Sequence, residues 1–312
     1  MKHVFIINPA AGKRNAAEFI KEEVGRLFPS SGSYSIELTK KPGHAAEIAK
    51  KYAETGEPVR IYSCGGDGTL NEVLNGMYRY ENAELAVFPS GSGNDFIKML
   101  AGRAAVNLES LVHGVAEKID IIECEGTAAI NCVSAGLDAS VANEVSKFKR
   151  LPFINGSTAY ILSVLRCFLS HIGSKLQFEL DGELYPQDTY LFGVAANGRY
   201  YGGGFMPAPN ADMYDGMLDF VMVKKVSRFR MLTIIDEYKK GTHLHHNNII
   251  SLVRCTRARI LSDKPIQMNL DGEIRTFHNP EIRVLPSAVS IIKPLIQASV
   301  FDESNAVLEG NF

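Results

Sequence analysis

The chain has 312 residues with a formal net charge of −2; 46 % of its residues are hydrophobic and 22 % charged. These values fit one large or two ordinary globular domains with cores of their own. They argue against the broad basic surface of a nucleic-acid binder, so no nucleic-acid partner is expected. The five cysteines are odd in number and scattered, without a C-x-x-C pair, which suits a reducing compartment. The apolar run near the N-terminus is too short for a signal peptide, and the stretch "STAYILSVLRCFLSHIG" is broken by Arg166. A cytoplasmic protein is expected, one that meets any membrane from its surface.

In chain order, "HVFIIN" reads as a buried strand and is followed by a helical pattern from about 15 to 28. "SYSIELT" is a strand, "GHAAEIAKKYAETG" a helix closed by Gly56, "PVRIYSCGG" a strand and "TLNEVLNGMY" a helix. "AELAVFPSGSGND" is a strand and turn, and "FIKML" starts another helix. Such alternation predicts βαβ units and a parallel sheet covered on both faces. After about Glu123 strand-like segments dominate, with Asp181-Gly182 and Asp271-Gly272 predicting hairpin turns. Helical stretches near 157–171 and 228–240 interrupt them. The expectation is an α/β domain over 1–124 and a β-rich domain, a sandwich or barrel, over 125–293. The tail 294–312 is a candidate to complete the first domain.

Ligands of parallel sheets bind where strands end, because helix N-termini there present free N–H groups and a positive dipole end. Three turns fall at such ends: "NPAAGK" from Asn8, "CGGDGTLNE" from Cys64 and "PSGSGNDF" from Pro89. Neither a Walker-type phosphate loop nor a dinucleotide fingerprint is present. What remains is a glycine loop with an embedded acid, Asp67, followed by Thr69 and Asn71. Glycines let backbone amides approach phosphate oxygens, and an acid beside phosphates has a purpose if it holds a cation or receives a proton. That points to Mg²⁺-assisted phosphoryl handling.

"NPAAGK", "T-x-x-x-GHA" from Thr39, "GGDGTLNEVLNG", "PSGSGNDF" and "NGRYYGGGFMPAPNADMYDGMLD" together resemble the diacylglycerol-kinase-like lipid kinases, a family that includes bacterial diacylglycerol kinases and sphingosine kinases. The match runs from about residue 5 to 275. GGDGT alone is shared with NAD kinases; the GSGNDF and DGMLD blocks favour a lipid kinase. The resemblance implies a doubly wound parallel α/β nucleotide-binding domain of the NAD kinase and phosphofructokinase kind, followed by a β-sandwich-like domain, with ATP in the cleft between them. It carries nucleotide contacts onto Asn8, Pro9, Ala10, Ala11, Gly12, Thr39, Gly66, Asp67, Gly68, Thr69, Leu70, Asn71, Glu72 and Ser92. It makes Asp67 and Asp95 the acids that manage phosphates and Mg²⁺, and Glu273 the general base. Asp215 would ligate a structural Mg²⁺, completed by the backbone carbonyls of Asp212 and Met217. The implied activity is ATP- and Mg²⁺-dependent phosphorylation of a membrane lipid's hydroxyl during transient membrane association. Diacylglycerol is the favoured acceptor, with a sphingoid base or a prenol as alternatives and a homodimer left open. A soluble-substrate kinase of the NAD kinase type and a non-catalytic nucleotide-binding regulator stand as competing readings.

Other features read more plainly. "LDGE" occurs twice, ending at Glu183 and at Glu273, and only the family pattern favours the second copy as catalytic. "HLHH" at 243–246 has no acidic or cysteine partner at zinc spacing in the sequence and reads as a polar loop. Lys13 reads as a solvated helix-start lysine with a conceivable phosphate role. The apolar segment at 157–171 reads as a packing helix or the side of a lipid entrance, and "KFKRLPF" at 147–153 as a helix end or a lipid contact. "NGRYYGGGF" at 197–205 is expected to shape the mouth of the cleft.

Overall fold

The computed structural model describes residues 1–12, 16–28, 32–91, 94–101, 106–136 and 173–295. Lys13, Ser92, the 147–153 run, the 157–171 segment and the tail from 296 lie outside the described residues. The first half forms β1 (Lys2–Ile7), α1 (Ala16–Leu27), β2 (Tyr34–Leu38), α2 (His44–Ala53), β3 (Val59–Gly65), α3 (Asp67–Met77), β4 (Ala83–Pro89), α4 (Asp95–Ala101) and α5 (Leu108–Val112). The strands pair in parallel in the order β2-β1-β3-β4.

The near-continuous apolar strands follow from burial on both faces. On β1, Val4 and Ile6 pack with α2 and α3 through Ala45, Ile48, Val73 and Leu74. The alternate residues Phe5 and Ile7 pack with α1 and α5 through Ile20, Val24, Leu108 and Leu111. The period-2 alternation of a strand thus divides one apolar run between two helical layers.

The second half contributes β5 (Val115–Cys124), β6 (Thr127–Ala129), β7 (Cys132–Gly136), β8 (Ser174–Leu180), β9 (Glu183–Leu184), β10 (Asp188–Ala196), β11 (Leu218–Lys224), α6 (Arg228–Lys240), a 3₁₀ turn (His243–His245), β12 (Ile250–Cys255), β13 (Arg257–Leu261), β14 (Ile266–Leu270), β15 (Glu273–Phe277) and β16 (Glu281–Lys293). Both Asp-Gly turns form as expected. Asp181 and Gly182 have φ of 48° and 87°, and Asp271 and Gly272 have φ of 49° and 98°. Positive φ at both central residues gives the turn whose twist matches that of its hairpin.

β16 joins the parallel strands of the first half to antiparallel strands of the second within one sheet. Its start pairs antiparallel with β13 and its end pairs parallel with β4, while β5 runs antiparallel along both parts. The register shifts between Leu285 and Val289, where Ser287 takes φ of 50°. At the end of the described chain, Leu295 N–H donates to Ser110 O at the α5 edge (2.9 Å).

Candidate active site

The three turns singled out in the sequence meet at one rim. The Ser90 and Gly91 N–H groups donate to Gly65 O (3.0 and 3.1 Å), and Asn8 N–H donates to Cys64 O (3.0 Å). A Cβ on Gly91 would lie 2.4 Å from Gly66 Cα, and one on Gly12 would lie 2.3 Å from Ser90 O. Glycine is required at both positions because backbones touch there; Gly12 also has φ of 83°. Asn8 Oδ1 accepts from Ala10 N–H (3.0 Å), and Asn8 Nδ2 donates to Thr69 Oγ1 (3.1 Å), so one side chain stitches two loops together. Pro9 and Ala10 are exposed on the rim. Thr39 joins it through its N–H, which donates to Ile7 O (2.9 Å).

Helix α3 starts at Asp67 behind Gly66, whose cap position has no side-chain acceptor for the first-turn amides. Those N–H groups have no intrahelical partner and face an anion favourably. Asn71 is buried one turn on, and its Nδ2 has no partner. That orphaned donor in a phosphate-favouring rim fits a nucleotide. Leu70 lies in the core beneath. Both oxygens of Glu72 are already engaged, accepting from Gly43 N–H (2.8 Å) and Ala45 N–H (3.0 Å) at the start of α2. Its visible work is to cap that helix.

The acids converge. Asp67 Oδ1 accepts from Asp95 N–H (2.9 Å), and burial, then the Asp95 charge, raises the Asp67 carboxyl above the usual range. Asp95 is buried; its Oδ1 accepts from Lys98 Nζ (2.5 Å) and its Oδ2 from Gly203 N–H (2.7 Å). The glycine-rich loop at 197–205 therefore reaches the site through a backbone amide. Two acids that sequence reasoning missed complete the picture. Asp271 accepts from the N–H groups of Ile130 (2.5 Å), Asn131 (3.1 Å) and Cys132 (2.9 Å). Desolvation pushes it up to about 6 against those bonds, and the Asp67 charge adds to the rise. Asp120 is buried, with Oδ2 accepting from Gly216 N–H (2.6 Å) and Oδ1 from Ser287 N–H (2.7 Å).

Glu273 is exposed at the start of β15, and the turn sets it two residues along the chain from Asp271. Its twin, Glu183, is exposed on a different hairpin. Asp215 Oδ1 accepts from Met217 N–H (3.0 Å), and its Oδ2 accepts from the Arg254 guanidinium. Asp212 Oδ1 accepts from Tyr214 N–H (3.1 Å). Arg254 also approaches Asp219 (3.4 Å) and is half exposed.

A hard divalent cation with oxygen ligands suits this donor set. Asp67 lies in the field of Asp95 and acts on Asp271 in turn, negative charge that a cation would relieve. At Asp215 a cation would have to displace Arg254. An exposed ion pair is worth about 0–1 kcal/mol, so that exchange is within reach of a divalent ion.

No helix among the described residues is long and apolar enough to cross a membrane. Residues 2–124 match the diacylglycerol kinase catalytic domain, and residues 131–293 match the YegS C-terminal NAD kinase beta sandwich-like domain. The chain is 28 % identical over 309 residues to a diacylglycerol kinase of Bacillus subtilis (strain 168), covering 97 % of this chain and 100 % of the relative. A crystal structure of a diacylglycerol kinase from Bacillus anthracis (strain Sterne) superposes with a TM-score of 0.68 at 21 % identity, over 94 % of this chain and 96 % of that one, a likeness of fold. With both domain types matched in order, the chain belongs to the diacylglycerol-kinase-like lipid kinase family, as a two-domain lipid kinase.

Proposed function

We propose that the protein transfers the γ-phosphoryl group of ATP to the hydroxyl of a membrane lipid, with Mg²⁺ as cofactor and diacylglycerol as the favoured acceptor. The observation that carries this reading is the rim, where the first-turn amides of α3 and the unpartnered Asn71 Nδ2 stand beside Asp67, whose Oδ1 accepts from Asp95 N–H (2.9 Å). Membership of a kinase family implies ATP as the donor.

In this reading the amides of Gly66, Asp67, Gly68 and Thr69, with Asn8, Gly12, Thr39 and Asn71, bind and orient the phosphates. Asp67 and Asp95 would hold Mg²⁺, and Asp215 with the Asp212 and Met217 carbonyls would hold a second ion in place of the Arg254 guanidinium. Bound Mg²⁺ supplies positive charge that neutralises the transferring group. Lys98 and Gly203 N–H keep Asp95 oriented. Glu273 accepts the proton of the acceptor hydroxyl as the new O–P bond forms and the bond from the γ-phosphorus to the β,γ-bridging oxygen breaks, releasing ADP. A carboxylate suffices, because a loose transition state needs little prior deprotonation. The acceptor is met at the bilayer surface from the cytoplasmic side.

The test is transfer of radiolabel from γ-labelled ATP to vesicles of mixed lipids, with Asp67→Ala as control. Label in a chloroform-soluble product that depends on Asp67 and on diacylglycerol is expected. Label confined to water-soluble products would sink the reading.

A further inference from the structure

The HLHH segment, read from the sequence as a polar loop for want of an acidic partner, has one in the fold. The 3₁₀ turn after α6 folds back so that Glu237, in the last turn of that helix, meets His245 and His246. His246 Nε2 lies 2.7 Å from Glu237 Oε2, and His245 Nε2 lies 3.6 Å from the same oxygen. All three ligand atoms fall within 4.8 Å of one another. We propose that Glu237, His245 and His246 form a binding site for a borderline divalent transition-metal ion, Zn²⁺ in the first instance, separate from the Mg²⁺-binding acids of the kinase site.

The geometry and the chemistry agree. Zinc bonds of about 2.0–2.1 Å in a tetrahedron place ligand atoms about 3.3 Å apart. The 2.7 and 3.6 Å separations bracket that value, so a small rotation of the Glu237 side chain admits the ion. Two imidazoles and one carboxylate, with a water in the fourth position, is a donor set that zinc accepts and Mg²⁺ does not prefer. The outer shell is already built on one ligand. His245 Nδ1 lies 2.7 Å from Thr242 O, an atom that only accepts, so Nδ1 carries the proton and the Nε2 lone pair is left for a metal. Thr242 N–H in turn donates to Glu237 O (2.9 Å), which ties the backbone of ligand and second shell together.

Occupancy would staple the end of α6 to the following turn. Tyr238, the neighbour of Glu237, hydrogen-bonds Tyr201 through their hydroxyls (3.0 Å) and packs on Phe205. Those residues bracket the loop whose Gly203 amide binds Asp95. The site thus buttresses the glycine-rich loop from outside.

The experiment is calorimetric titration of the untagged full chain with Zn²⁺ alone, and Cu²⁺ electron paramagnetic resonance on the same samples. One equivalent bound with micromolar or tighter affinity is expected, weakened at least tenfold in His245→Ala and in Glu237→Gln, and kept in Asp67→Asn. His245 is well exposed, so its variant should fold. The Cu²⁺ spectrum should carry nitrogen hyperfine structure from two imidazoles, which the carboxylates of the kinase site cannot give. Unchanged Zn²⁺ affinity in the His245→Ala/His246→Ala double variant, or a spectrum with oxygen ligands only, would overturn the proposal.

Discussion

The two LDGE turns offer an internal control on the assignment of the base. They are built alike. Asp181 N–H donates to Arg257 O (2.9 Å) while its carboxylate accepts from Thr256 N–H and Arg257 N–H; Asp271 N–H donates to Cys132 O (3.2 Å) while its carboxylate accepts from the Ile130, Asn131 and Cys132 amides. The glutamates two positions on, Glu183 and Glu273, are both exposed at the start of a short strand. What differs is the surroundings. Hydrogen bonds hold Asp181 below the usual carboxylate range despite some desolvation, whereas burial and the nearby Asp67 push Asp271 up to about 6. Of the two turn aspartates, Asp271 feels the charge of a rim acid, Asp67. Glu273→Gln keeps size and hydrogen-bonding reach but cannot take a proton, and loss of a general base costs about 10²–10⁴ in kcat. That equals about 2.7–5.5 kcal/mol of barrier. Glu183→Gln should stay within a few-fold of wild type, and neither exposed change should alter stability by more than about 0.5 kcal/mol. The assay is kcat at saturating ATP on mixed diacylglycerol vesicles, with thermal unfolding to confirm equal folding. Equal losses in both variants, or full kcat in Glu273→Gln, would refute the reasoning.

Gly91→Ala should force apart the loops that touch at Gly66, an overpacking cost of about 1–3 kcal/mol that appears as a rise of tenfold or more in KM for ATP; an unchanged KM would mean that the rim does not bind nucleotide. Glu72→Gln should lower stability by about 1 kcal/mol in urea unfolding with little change in KM for ATP, because the carboxylate caps α2; the opposite pattern would make it a nucleotide contact. His3 is held down to about 4 by burial and by the Arg60 charge, so the unfolded chain takes up its proton first as pH falls below 6.5. Stability should therefore be full above pH 6.5 and drain away towards pH 4, by at most about 3 kcal/mol and by about 1–2 once solvent screening of this half-buried ring is allowed for. His3→Phe should flatten that part of the urea-unfolding profile, and an unaltered slope would assign it to other groups.

The parallel half of the fold was legible because its signals are local. Apolar runs such as "VFII" divide between two covering layers, and each ends in a glycine turn before a helix. The Asp-Gly turns were legible for the same reason: only two residues need positive φ. The residues that sequence reasoning missed act across the chain. Gly203 reaches Asp95 over 108 positions, Gly216 reaches Asp120 over 96, and Ser287 reaches Asp120 over 167. In each contact the donor is a backbone amide, which leaves no mark on residue type. The partner of HLHH was missed because Glu237 lies in the preceding helix, outside zinc-finger spacing. The strand β16 read as a strand, but its joining of parallel to antiparallel strands comes with a register shift that no periodicity announces.

The spacing of the proposed metal acid and the proposed base is itself set by a relay of hydrogen bonds. Asp67 opens α3, and Asn75 lies two turns further along the same helix. Asn75 Nδ2 donates to Ala128 O and Asn75 Oδ1 accepts from Ala128 N–H, both at 2.9 Å, so α3 grips strand β6 as a neighbouring strand would. The chain leaving β6 presents the Ile130, Asn131 and Cys132 amides to Asp271, and Glu273 follows. Asn75→Ala leaves two groups of the buried Ala128 without these partners, a cost of about 1–3 kcal/mol each if water does not replace them. Asn75 is a positioning residue; its Nδ2 also donates to Asn71 Oδ1 (3.3 Å) in the proposed rim, so kcat should fall about tenfold with a smaller rise in KM for ATP. Asn75→Asp is the harsher change: it keeps an acceptor for Ala128 N–H but turns a carboxylate oxygen towards Ala128 O and Asn71 O, so it should recover none of kcat. Loss of stability with kcat intact in both variants would show that the relay holds the fold together without setting the distance between acid and base.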